Sequence, residues 1–425
     1  MRKVLCLVCV LVLLLGCVSS ALADEKIKLR IVTGTTEIDA GNYAVLQKRI
    51  ELFNELYGDE IELEVETIAG EADMTEKMKV YLSTDQLPDV GPGGSNLCYD
   101  LAAAGVTWDL DPYVDADEEI KAGLTEKGRA KNTYDGKLFA VAEQSSWMWM
   151  FANKDLFDKA GVDTVFEDWD DFWATLDALK ASGIEYPVAM ETAGNAWTSS
   201  LYLGGFISAV SQEGFDYMNT SYPETYDYDF VREGIGNVVR LLRDYAAPDA
   251  IGGNYATAEG HFMREEAALI INGTWVISHF SNPELVSDEH FAEKIVNVAF
   301  PGNVIYKSAQ YGDVILSKDQ EHADAAWKWV RLGVTADMQA YRLEKCAVLP
   351  DSPFVTITDD IKELYPALAD AYEKFADAPS IEGFSRIWLS SVGEELGVIY
   401  PALLYGTMTM DEAIQRLDAC VADAA

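Results

Sequence analysis

The stretch from Thr133 to Val162, TYDGKLFAVAEQSSWMWMFANKDLFDKAGV, restricts the fold more than any other part of the chain. Tyr134-Asp135-Gly136-Lys137 reads as a tight turn, because Asp and Gly accept backbone angles that other residues resist. A short apolar strand, Leu138 to Ala142, runs into the polar patch Glu143-Gln144-Ser145-Ser146. Trp147, Trp149 and Phe151 then alternate with Ser146, Met148 and Met150, so an extended backbone puts the three rings on one face. Asn153-Lys154-Asp155 opens a short helix carrying Leu156 and Phe157, and Gly161 closes it. A polar loop between two strands, followed by an aromatic ledge, is what a chain needs to cross between two lobes over a ligand cleft.

Strands and helices alternate on both sides of this stretch. Ile27, Leu29 and Ile31 mark a first strand, and Leu46, Ile50, Phe53 and Tyr57 form the apolar stripe of a helix. Ile61, Leu63 and Val65 mark the next strand, so strand, helix and strand imply a βαβ unit in a largely parallel sheet. Further along, Asp168 precedes a helix with Trp169, Phe172, Trp173 and Leu176 at core-facing spacing. Tyr186–Met190 and Val296–Phe300 read as strands, Phe230–Tyr245 and Ala323–Leu332 as helices, and the chain from Asp359 onward as helical. Thr409 and Glu412 form a capping box. At 425 residues the length suggests roughly two to three domains.

The order Asp-Gly-Lys, apolar strand, polar loop, aromatic strand and Asn153-Lys154-Asp155-Leu156-Phe157 resembles the family 1 extracellular solute-binding proteins, the sugar receptors of bacterial ABC importers. Ser83 to Val90, Ala104-Gly105-Val106, Asp109 to Tyr113, Phe262 to Trp275 and the tail around Thr409 to Ala413 resemble further segments of that family. Departures occur at Ala142, where the family has Pro, at Ala152, where it has Tyr, and at Arg264-Glu265-Glu266, where it has a polar residue, Gly and Lys. The resemblance implies an α/β, two-lobed, type II periplasmic-binding fold, each lobe a mostly parallel sheet flanked by helices. It implies a first lobe of residues 24–140 and 302–350 and a second of 141–301 and 351–425. The second crossing is expected at Val296–Gly302 and the third at Leu349-Pro350. It also implies capture of a mono- or oligosaccharide for an ABC permease, by a monomer with no cofactor and no catalysis of its own.

The N-terminus fits a secreted receptor. Met1-Arg2-Lys3 and the apolar run Val4–Leu15 have the anatomy of a signal peptide, taken as residues 1–23. Two exits are open: a lipobox, Leu14-Leu15-Gly16-Cys17, that would acylate Cys17, and an Ala21-Leu22-Ala23 cleavage site. The first gives a protein anchored to the outer face of the cytoplasmic membrane, the second a free extracellular or periplasmic one. A net charge of −39 repels nucleic acid, anionic lipid and anionic ligands. The three cysteines beyond the leader, Cys98, Cys346 and Cys420, form neither a disulfide framework nor a zinc pattern and read as buried thiols.

Catalytic motifs do not emerge: there is no nucleophile elbow, phosphate loop or metal-spaced histidine pair. Paired carboxylates for glycoside hydrolysis are a rival that an acidic chain always allows, and a same-fold receptor for a non-sugar solute is another. Sugar binding asks for flat rings against the C–H face of a pyranose and for polar groups around its hydroxyl rim. The chain offers such residues near strand ends: Glu37, Glu71, Ser95, Trp147, Asn195, Trp197, Trp275, Tyr311, Asp313 and Arg386. Asn195 and Trp197 read equally well as a helix cap and a packed ring, whereas Trp275, after a strand and a Gly turn, favours an exposed ring.

Overall fold

The computed structural model describes residues 26–422 except 95, 194, 221–222 and 383–389. β1 (Ile27–Thr33) and β2 (Ile61–Thr67) pair in parallel along their whole length, from Ile27 opposite Ile61 to Thr33 opposite Thr67. The crossover that a parallel pair needs is α1 (Ala40–Tyr57), started by Asp39, whose side chain accepts the Asn42 N–H at 3.2 Å. α2 (Glu71–Ser83) leads to β3 (Val90–Gly91), which joins β1 in parallel at Ile31 opposite Val90. β4 (Thr133–Tyr134) and β5 (Lys137–Leu138) form a hairpin. Its turn residues Asp135 and Gly136 have φ of 47° and 77°, the left-handed pair a two-residue hairpin loop selects.

β6 (Ser145–Asn153) enters the second lobe and becomes the spine of its sheet. The chain then runs through α3 (Trp169–Ala181), β7 (Val188–Ala189), α4 (Trp197–Ser208), α5 (Asp229–Asp244), α6 (Tyr255–Met263), β8 (Leu269–Gly273), β9 (Ile295–Val298) and β10 (Ile305–Ala309). β11 (Val314–Ile315), α7 (Gln320–Val334) and α8 (Ala336–Cys346) return to the first lobe. α9 (Pro366–Phe375), β12 (Ser380–Ile381), α10 (Ser390–Leu404) and α11 (Met410–Ala422) complete the second. The strand orders are β11-β3-β1-β2 and β12-β10-β6-β8-β7, with β9 on β6. The strands that enter from the other lobe, β6 and β11, run against their neighbours, so both sheets are mixed.

The alternation along β6 divides the second lobe into two cores. Met148, Met150 and Ala152 face α4, α5 and α10 through Leu201, Tyr202, Val238, Leu241 and Ile399. Trp149 and Phe151 face Phe280, Phe291, Leu368 and Phe375 on the other side. Burying a ring of this size is worth about 5 kcal/mol by area, which fixes the register because a one-residue slip would exchange the faces. The aromatic ledge expected over a cleft does share one face, but that face is covered by α9: the Trp149 ring lies 5.5 Å from Phe375 and Trp147 stacks on Tyr372 at 5.7 Å.

The crossings lie side by side. Gln310 N–H donates to the Gln144 carbonyl at 3.1 Å, and Ser145 N–H to the Leu349 carbonyl at 2.8 Å. Gly312 is required here, since a Cβ would run into the Val141 carbonyl. The return to the first lobe comes at Gln310–Asp313, which corrects the crossing expected at Val296–Gly302 and the boundary at residue 302. β9 does end shortly before Pro301, at Val298, but the chain only loops out through Gly302 and Asn303, with φ of 76° and 60°, and resumes along the same edge of β6 as β10. β12 is a strand inside a tail expected to be helical, pairing in parallel with β10. The Thr409–Glu412 capping box forms as expected, with N–H to side-chain bonds of 2.8 and 3.3 Å. Cys98 and Cys346 are buried, Cys420 is half-buried, and none is in a disulfide.

Candidate functional site

Strand ends of the first sheet meet the crossings around a cavity of about 550 Å³, the place where open α/β sheets hold ligands. Its walls are Thr33–Thr36 after β1, Asp39 and Asn42 at the start of α1, Pro92–Gly94 after β3, and the crossing residues Glu143, Gln144 and Gln310–Asp313. Its floor is an ionic network. Arg49 Nη1 donates to Glu143 Oε1 and to Asp313 Oδ2, each at 3.0 Å, while Nε and Nη2 donate to the Trp329 carbonyl at 3.1 and 2.7 Å. The Arg49 guanidinium lies 4.2 Å from the centre of the Trp329 ring. Arg342 donates to Glu143 Oε2 at 2.5 Å and to Gln144 Oε1 at 3.1 Å. Asp313 Oδ1 accepts the Gly93 N–H at 2.9 Å.

Two guanidiniums therefore balance two carboxylates, Arg49 bonded to both and Arg342 to Glu143. Burial works to raise the Glu143 carboxyl, but Arg49 and Arg342 overcome it and hold the group below the usual carboxylate range. Asp313 is pushed up by burial and by the charge of Glu143, which shares Arg49 with it. The network joins α1, the first crossing, the second crossing and α8.

The second lobe contributes an aromatic corner. Trp197 begins α4, and its ring lies 5.6 Å from that of Trp275 and 6.1 Å from that of Tyr255. Trp197 and Trp275 are half-buried. Trp275 also packs on the first-lobe patch of Val45, Met338, Cys346 and Val348, of which Val45 lines the cavity. Behind the rings, Asn272 Nδ2 donates to the Tyr255 hydroxyl at 3.0 Å, and Glu259 holds His279 Nδ1 at 2.7 Å. Desolvation lowers the His279 pKa, but the bond to Glu259 and the charges of Glu259 and, across the cleft, Asp39 leave it raised. Lys79 of α2 and Glu394 of α10 also approach to 3.7 Å, both exposed. The lobes thus approach each other at two places, through Trp275 and through the Lys79–Glu394 pair.

The sequence-derived candidates divide accordingly. Trp197 and Trp275 meet at the aromatic corner, Asn195 lies two residues before Trp197 in the turn into α4, and Asp313 lies in the cavity floor with its oxygens engaged. Tyr311 reaches the cavity wall but is only 3% exposed, its ring packed against Phe139 and under Lys131 in the first-lobe core. Trp147 sits away from the cavity, its ring between Tyr372 and Lys307. Glu37 is exposed outside the cavity wall and accepts from the Tyr43 hydroxyl at 3.2 Å. Ser95, Arg386, the Glu71 side chain and Cys17 lie outside the described residues. Residues the sequence did not nominate are Asp39, Arg49, Glu143, Gln144, Gln310 and Arg342 in the cavity and Tyr255 at the corner. Among the described residues no group of His, Cys, Asp and Glu gathers as a metal site.

Known proteins agree with this geometry. A solved chitin oligosaccharide binding protein superposes with a TM-score of 0.79 at 20% identity, covering 94% of this chain and 99% of its own. A Streptococcus pneumoniae solute-binding protein in complex with the blood group A-trisaccharide gives 0.76 at 17% identity, covering 94% and 100%. The sugar-binding protein MalE from Xanthomonas citri gives 0.67 at 18% identity, covering 93% and 97%. At these identities the likeness establishes the two-lobed fold. In sequence, a putative binding protein of Brucella abortus is 29% identical over 112 residues, which is 26% of this chain and 27% of that protein. The profile of the bacterial extracellular solute-binding proteins matches residues 48–372, well over half of the chain. With its two lobes, its three crossings and that match, this chain belongs to the bacterial extracellular solute-binding protein family.

Proposed function

We propose that the protein captures a neutral mono- or oligosaccharide between its lobes and delivers it, unaltered, to the membrane permease of an ABC importer. The observation that carries this reading is the corner of Trp197, Tyr255 and Trp275 beside a polar cavity whose cations are already paired. Flat rings with a polar edge suit the apolar face of a pyranose, and Asp39, Asn42, Gln144 and Gln310 suit its hydroxyls. A ligand that touches both lobes shifts the population toward closure, and a permease reads the closed shape. A structural neighbour named for chitin oligosaccharide binding and another in complex with the blood group A-trisaccharide support the same class of ligand. We divide the lobes at the crossings, residues 24–140 with 310–350 against 141–309 with 351–425. The molecule acts as a monomer, held at the outer face of the membrane by a lipid on Cys17.

Thermal-shift and calorimetric titration with chitotriose, maltotriose, raffinose and the blood group A-trisaccharide tests the proposal. At a hundred-fold excess over Kd a true ligand stabilises by about 2.7 kcal/mol, and chromatography recovers it intact. No shift with any of them, or the release of shorter products, refutes the reading.

A further inference from the structure

We infer that Glu191, which does not line the cavity, is the positioning residue that fixes Trp197 for ligand, by clamping the turn into α4 against the end of β7. This rests on the sugar-binding reading above. Glu191 is 2% exposed and lies two residues beyond β7. Its Oε1 accepts the Thr198 N–H at 3.0 Å, and its Oε2 is bonded to the Thr198 hydroxyl. In return its own N–H donates to Thr198 Oγ1 at 3.1 Å, and its carbonyl accepts from the Ser199 hydroxyl. One acidic residue thus makes four bonds to the first turn of α4, two of them closing a reciprocal pair with Thr198.

The turn needs such a clamp. Ala196, which precedes α4, has φ 49° and ψ 44°, a left-handed conformation that a residue with a Cβ adopts only against resistance. Such a conformation persists where its surroundings over-determine it. Ala196 offers no side-chain cap to the helix, so Glu191 supplies the acceptor for the helix N–H from outside. Immediately between the strained residue and the clamped one stands Trp197, with no bond in the clamp and its ring against Tyr255 and Trp275. Release of Thr198 frees the strained turn to relax, and the ring it carries loses its orientation. Preorganisation of that kind lowers the ordering cost of binding.

Hydrogen exchange of the amides from 196 to 199 and calorimetry with chitotriose, maltotriose and raffinose, on the intact mature protein, test the inference. E191A is expected to raise exchange at these amides at least ten-fold while the cores around β6 and β1 exchange as before, and to weaken sugar binding at least ten-fold. E191Q, which keeps an acceptor for the Thr198 N–H and a group for its hydroxyl, should recover most of both losses. T198V, which removes the hydroxyl alone, should move both readouts in the same direction by less. Exchange that stays unchanged in E191A and T198V overturns the inference, and so does exchange that rises throughout the second lobe. Unaltered sugar affinity in an E191A protein whose turn has loosened overturns it as well. If wild type binds none of the three sugars, the sugar reading fails, and the clamp then stands or falls by the local exchange and its rescue in E191Q.

Discussion

Removing one carboxylate from the cavity floor is the sharpest test of how the crossings are held. Glu143→Ala deletes the acceptors at 3.0 Å from Arg49 and 2.5 Å from Arg342 and leaves the network with one uncompensated positive charge. Arg49 keeps Asp313 and the Trp329 carbonyl, but Arg342 retains only the Gln144 amide oxygen, and its Nε is already buried without a partner. Breaking a buried ion pair from one side costs about 3–5 kcal/mol, most of it the penalty of the stranded cation. Glu143→Gln keeps one acceptor oxygen and should cost about 1–3 kcal/mol. Urea unfolding followed by tryptophan fluorescence reads the difference. The loss should change little between 0.05 and about 1 M salt, because a buried pair is poorly screened. A cost of Glu143→Ala below about 1 kcal/mol, or one that salt abolishes, would mean that the network is hydrated and that the ion pairs do not hold the crossings together.

Three further outcomes follow from single groups. Trp275→Ala should weaken sugar binding by at least about 1 kcal/mol in calorimetry if the ring stacks on ligand; unchanged affinity in a folded variant would remove Trp275 from the site. Burial raises the Glu191 carboxyl from 4.5 to about 7. A folded pKa above the unfolded one means stability present below about pH 4.5 and lost as pH rises through about 7, a difference of about 3 kcal/mol. Glu191→Gln should therefore gain stability over wild type between pH 4.5 and 8, and parallel pH profiles for the two proteins would contradict the assignment. Cys17→Ser should release the protein from host membranes on fractionation, while a mature wild-type N-terminus at Asp24 would rule out the lipid anchor.

The parts legible in the sequence are those set by local patterns. Ile27, Leu29 and Ile31 announce β1, Asp135-Gly136 the turn of the β4–β5 hairpin, Asn153 and Gly161 the two ends of a helix, and each of these signals spans a few residues. The period-two alternation of Trp147, Trp149 and Phe151 correctly puts three rings on one face, but a strand buried on both sides gives no sign of which face meets solvent. That single ambiguity moved Trp147 to the cavity in the sequence reading and to Tyr372 in the fold. Pro301 misled for a related reason: it ends a strand wherever it occurs, and only the pairing of β10 with β6 tells a loop-out from a crossing.

Asp313 and the polar patch at Glu143-Gln144 were legible in the cavity floor, but the arginines that join them were not, because no local pattern encodes that pairing. Arg49 sits among Leu46, Ile50 and Phe53 on a helix that reads as an ordinary amphipathic one, and its partners are 94, 264 and 280 residues away. A buried arginine becomes intelligible only when the carboxylates that neutralise it are in place, and those arrive from two different crossings and are joined there by a second arginine on α8. The same reasoning turns an apparent weakness of the site into its chemical bias. Because Glu143 and Asp313 neutralise both guanidiniums that line the cavity, a uronic or phosphorylated sugar would bring a third negative charge to a balanced network and could gain a full positive partner only in exchange for one of these buried carboxylates. A neutral sugar needs no such exchange, and in a chain of net charge −39 it is also the ligand the field outside the cleft does not repel.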